Sequence, residues 1–148
     1  MICIHQFPNN CTLYPEQSFF LFKTSFLFLF STIYGIYKMH YDLSLVSFGL
    51  FLTSINFWKN PISNSWQKKL DVNYVKFALL YYFYRSLYSE YFITYNAITL
   101  STILFYPLSI YLYNKKLYWY STYMHSILHL GTSCAGIILF SGYIPKIF

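Results

Sequence analysis

Five stretches of mostly apolar residues dominate this chain, at positions 19–37, 41–57, 72–88, 91–113 and 118–142. A helix needs roughly 20 such residues to cross the hydrocarbon core of a bilayer, and each stretch comes near that length. No stretch alternates apolar and polar residues with period two, the pattern a membrane β-barrel would need. The sequence therefore predicts an all-α, polytopic membrane protein, a bundle of about five transmembrane helices forming one domain over residues 1–148. Composition points the same way. Only 9% of residues are charged and 57% are hydrophobic, whereas a soluble domain usually carries roughly a quarter charged residues. The net charge of +6 is spread along the whole chain and forms no patch, so no nucleic-acid partner is expected. The expected partner is the lipid bilayer. The aromatic share of 25% is less specific, because nine lysines against one arginine suggest AT-rich coding.

Short turns join the stretches, with one exception. Residues 58–71, WKNPISNSWQKKLD, form a longer polar loop in which Asn60-Pro61 is a turn signal and Pro61 stops any helix carried over from the second stretch. With five spans, this loop, the N-terminus and the 114–117 turn share one side of the membrane. That side collects Lys59, Lys68, Lys69, Lys115 and Lys116, while the other has Lys38, Arg85 and Lys146. Lysine and arginine favour the cytoplasmic side, so the N-terminus is expected to be cytoplasmic. Lys23 and Lys76, each inside a span, would snorkel towards that same side. The opening MICIHQFPNN has neither a basic region nor a long apolar run, so no secretory signal is expected. Cys3 and Cys11 would then be reduced, Cys134 would lie in the last span, and no disulfide is expected.

Inside a membrane, the informative side chains are the few that are costly to bury. His125 and His129 lie in the cytoplasmic half of the last stretch, four residues apart. On a helix this places them about 40° apart and one turn above one another, a spacing at which two imidazoles can hold one metal ion. They belong to a stripe of Tyr118, Ser121, Thr122, His125, His129, Thr132 or Ser133, and Gly136, a face that should turn away from lipid. The plainer reading of the pair is two neutral histidines hydrogen-bonded to neighbouring helices. Asp71 opens the third stretch, where an acid commonly just caps the helix, and Ser54 lies near the end of the second. Topology puts all four residues on one side of the membrane, where they could line a cavity opening to the cytoplasm.

This pattern resembles a superfamily of membrane hydrolases: alkaline ceramidases, haemolysin III proteins and adiponectin-type receptors. Ser54 in LTSINFW matches the family serine, Asp71 in QKKLD the aspartate, and His125 with His129 in YMHSILH the final histidine pair. The resemblance implies a zinc site and metal-dependent hydrolysis of an amide in a lipid substrate. Trp58 stands where the family has its first histidine, and five spans are readable where the family has seven. Zinc would then need a third ligand beside His125 and His129. Asp71 is one candidate and His5 another, whereas His40 falls on the far side. In such a site Ser54 would hydrogen-bond the developing oxyanion. The alternatives are a structural or interaction protein that keeps the fold without the metal, and a small transporter. Transport is the weaker of these, because the polar stripe fades into an apolar outer half.

Overall fold

The computed structural model describes residues 11–145. It is all-helical there, with seven helices: α1 (Pro15–Thr24), α2 (Leu27–Tyr37), α3 (Tyr41–Trp58), α4 (Trp66–Ser86), α5 (Phe92–Ile103), α6 (Phe105–Asn114) and α7 (Tyr118–Ser141). They form five rods, because α1 runs into α2 and α5 into α6 across short breaks. Three rods are long and apolar enough to cross a membrane: Pro15–Tyr37, Phe92–Asn114 and Tyr118–Ser141. The expectation of five such spans is met in part. α3 is interrupted by Ser44, Ser47, Thr53 and Ser54, and α4 carries Lys68, Lys69, Asp71, Lys76 and Arg85.

Each break has a local cause. At the first, the Leu21 carbonyl accepts from the Ser25 amide at 3.0 Å, the Ser25 hydroxyl at 2.9 Å and the Thr24 hydroxyl at 3.0 Å. Side chains that bond back to the helix in this way bend it. The next amide, Phe26, reaches the Lys23 carbonyl three residues back, in a tighter turn. At the second break, Pro107 has no amide hydrogen for the carbonyl of Ile103, where α5 ends.

The third predicted span starts early. Ser65 caps α4, its hydroxyl accepting from the Lys68 amide at 3.2 Å, so the helix begins at Trp66. Asp71 therefore lies in the second turn and is no cap, which corrects the bland reading of that residue. The loop shrinks accordingly to residues 59–65. An N-terminal strap lies across it. Cys11 pairs with Ile62 in an isolated antiparallel bridge, and the Thr12 amide donates to the Pro61 carbonyl at 2.8 Å. Cys11 is disulfide-bonded, against the expectation of no disulfide, while Cys134 is free. His5, the alternative third ligand, lies outside the described residues.

The rods follow one another around a ring: α4 packs on α3, α3 on α2, α2 on α7, α7 on α5 and α6, and α5 returns to α4 by a sparse contact. Polarity is distributed inside out. Small hydroxyls are buried, among them Ser31, Ser47, Ser109, Ser121, Thr122 and Ser133, while Phe30, Ile33, Leu45, Leu80, Ile93 and Leu100 face outward. The Ser31 and Ser133 hydroxyls meet at 2.6 Å between α2 and α7, and Ser109 and Ser121 donate to one another's carbonyls at 3.0 and 2.9 Å between α6 and α7. Such bonds contribute about 0.6 kcal/mol each between helices in lipid, where burying apolar surface drives nothing. The stripe read from the last stretch does turn inward: Ser121, Thr122, His129, Ser133 and Gly136 are all buried.

Candidate functional site

The ring encloses a cavity of about 280 Å³ lined by residues from every helix except α1. Its wall is largely aliphatic and aromatic, including Phe28, Leu50, Val75, Leu79, Tyr82, Tyr95 and Leu128. Ser54, Asp71, His125 and His129 all line it as well. They come from three helices: Ser54 near the end of α3, Asp71 near the start of α4, and the histidines in the first half of α7. These portions share one end of the bundle, so Ser54, Asp71 and the histidines gather there, while the wall elsewhere is mostly apolar with hydroxyls at Ser31, Ser47, Thr99 and Thr132.

Asp71 is buried, and its Oδ1 accepts a hydrogen bond from the Ser54 hydroxyl at 3.1 Å. The serine is thus tied to the acid across the α3–α4 boundary. A neutral-to-charged hydrogen bond of this kind contributes roughly 1.5–3 kcal/mol, and removing one partner leaves a buried carboxylate short of a donor.

His129 is 4% exposed, and its Nδ1 lies 2.9 Å from the Thr24 hydroxyl. The Leu21 carbonyl, 3.0 Å from the Thr24 hydroxyl, already accepts from the Ser25 amide and hydroxyl. If the threonine proton goes to that carbonyl, its oxygen accepts from His129 Nδ1–H and Nε2 keeps a lone pair; if it goes to Nδ1, Nε2 carries the hydrogen. Lone pairs on Nε2 serve either as metal donors or as proton acceptors. The rings of His125 and His129 are 5.0 Å apart between centroids, inclined at 76°. Phe28 lies 5.2 Å from the His129 ring and Trp58 5.1 Å from that of His125, the latter nearly perpendicular at 73°.

Among the described residues, no three of His, Cys, Asp and Glu stand close enough together to hold a metal ion. Asp71 shares the cavity with the histidines but is turned to Ser54. Trp58 offers an indole N–H and no lone pair where the resemblance would want a third imidazole. Among the described residues the arrangement offers two imidazoles with no third ligand beside them.

Above the histidines the end of the bundle is shut. Leu13 of the strap, Leu21, Phe57 and Trp58 form a buried apolar cluster, with Phe22, Tyr113 and Tyr118 packed against it. Through Trp58 this cluster packs directly against the His125 ring. On the cavity lining only Lys76 of α4 and Tyr106 of α6 are exposed, and they stand on either side of the sparse seam between α4 and the α5–α6 rod.

Sequence reasoning missed two features. Thr24 gave no signal beyond being a hydroxyl in an apolar stretch. At the opposite end of the bundle, Arg85 is buried against Asp42, with Nε 2.8 Å from Oδ2, and donates to the Pro145 carbonyl at 2.9 Å. The Tyr81 hydroxyl donates to the same Asp42 oxygen at 2.9 Å. That pair was legible in principle, because Asp42 opens one span and Arg85 closes its antiparallel neighbour.

No family model matches the chain, and neither the curated proteins nor the solved structures provide a match. The class that can be stated is that of an all-helical protein with three helical rods long and apolar enough to cross a membrane. Its particular function rests on the geometry of the cavity.

Proposed function

We propose that this chain is a multi-pass integral membrane protein of five spans whose interior chamber receives the apolar chain of an amphiphile drawn from the bilayer. One observation carries the reading: the cavity of about 280 Å³ is apolar along most of its wall and polar at one end, where Ser54, Asp71, His125 and His129 gather. Pockets for small molecules generally combine apolar walls with a few convergent polar groups, and range over roughly 300–1,000 Å³. This chamber lies just below that range, which suits one chain rather than two. The outward-facing Leu45 and Leu52 of α3 and Phe77 and Leu80 of α4 support counting these helices as spans beside the three apolar rods, since these residues would otherwise face water.

Gly136 provides the test. It lines the chamber, and a Cβ added there would be in ordinary contact with Phe140 and Ser31 at 3.8 Å, so the first atom of a side chain meets no clash. Gly136→Leu, compared with Gly136→Ala at an unchanged unfolding midpoint, should abolish binding of a long-chain alcohol to protein reconstituted in lipid nanodiscs. Unchanged binding in that variant would refute the chamber as the site.

A second reading, metal-dependent hydrolysis of a lipid substrate on the ceramidase and haemolysin III pattern, is favoured by one fact. The four residues carrying that resemblance all line the same cavity. Zinc content of the purified protein tests it. A non-enzymatic relative that kept the fold is the form the chamber reading takes if no metal binds.

For orientation, we read the lysines as placing the N-terminal end in the cytoplasm. Arg85 is committed to Asp42, so among the described residues Lys38 alone opposes Lys59, Lys68, Lys69, Lys115 and Lys116. The disulfide at Cys11 argues the other way, because such bonds persist in oxidising compartments.

A further inference from the structure

We infer that the chamber selects an amphiphile with one chain and an anionic head, which passes sideways from the bilayer through the seam between α4 and the α5–α6 rod, with Lys76 holding the head at the rim. The inference deepens the chamber reading and depends on it. Lys76 lies about 15 Å along α4 from Trp66 at about 1.5 Å per residue, close to the middle of a helix of 21 residues. The apolar stretch of α4 begins near residue 72, so Lys76 stands about one turn inside it, where an ionisable residue calls for a partner or a route to the headgroups. Among the described residues the protein supplies none: the one ion pair is Arg85 with Asp42, and Asp71 is occupied by Ser54.

Snorkelling towards the headgroups is the ordinary way out for such a lysine. Here it leads along the cavity rim. Side chains on a helix tilt towards its N-terminus, so the Lys76 stem runs over the turn of Val72, which itself lines the chamber. The ammonium is thereby drawn towards the polar end while staying at the mouth. Across the seam stand Ile103 and Tyr106, on either side of the break at Leu104. Pro107 and that break bend the rod where α4 and α5 already touch sparsely. The rim is thus one cation and one phenol, with an apolar interior behind them. A carboxylate or phosphate on a single chain satisfies both: the head meets Lys76 as a point charge, and the chain enters the chamber.

The test uses full-length protein in nanodiscs of neutral lipid and three ligands of equal chain length: a fatty acid, a monoalkyl phosphate and the uncharged alcohol. Either anion should bind about tenfold more tightly than the alcohol, the gain expected of one charge-assisted hydrogen bond. Lys76→Gln should remove that preference, and Lys76→Arg should retain it. Whichever anion binds better identifies the head. Equal binding of anions and alcohol to the unmodified protein, or a preference that survives Lys76→Gln, would overturn the inference. The chamber reading fails separately, when the alcohol still binds to Gly136→Leu.

Discussion

Trp58 decides, at the scale of single residues, how far the hydrolase resemblance can reach. Its ring lies 5.1 Å from His125, so the position is adjacent to the histidine pair even though indole cannot ligate. An imidazole introduced there would add a third ring beside His125 and His129. Trp58→His should therefore raise zinc affinity by about tenfold or more over the unmodified protein, and His129→Ala in the same background should cancel the gain. Elemental analysis with calorimetric titration checks both. No zinc in either protein would remove the metal reading altogether. The histidine pair, the acid and the serine were visible in the sequence as polar groups in apolar runs. Thr24 was not, because its importance arises from where the first rod bends.

Element boundaries follow local rules closely enough to be tested one at a time. α2 and α6 both end in a six-to-one and five-to-two hydrogen-bond pattern: His40 N to Gly35 O with Met39 N to Ile36 O, and Leu117 N to Leu112 O with Lys116 N to Tyr113 O. The residue that adopts positive φ in such a cap is usually glycine, yet here it is Met39 at 61° and Lys116 at 62°. A side chain in that conformation costs about 1 kcal/mol. Lys116→Gly should stabilise the protein by roughly 0.5–1 kcal/mol, read as a raised midpoint of thermal unfolding in detergent, and Lys116→Val should lower it. Both turns could be located from sequence by the polar residues between apolar runs. The start of α4 could not, because Ser65 was one of several serines and asparagines in a polar loop, and only its bond to the Lys68 amide singles it out.

Across the whole molecule, the orientation in the membrane sets lysines against a disulfide. If the N-terminal end faces the cytoplasm, Cys11 should be a reduced thiol in intact cells. A membrane-impermeant maleimide should then label a cysteine placed at Lys59 only after the membrane is opened. Labelling of that cysteine from outside, with Cys11 oxidised in cells, would invert the assignment. The sequence by itself determined the helical class, the spacing of the rods, the inward face of α7 and the end of the bundle where the polar groups gather. Those properties depend on period and length, which are local. Tertiary structure alone decided that Asp71 bonds Ser54 rather than meeting the histidines, that Thr24 meets His129 Nδ1, that an apolar cluster with Trp58 packs beside the histidine pair, and that Lys76 and Tyr106 are the exposed residues of the cavity lining. Each depends on the lateral order of the rods and on two bends, and apolar periodicity carries no information about which helix lies next to which.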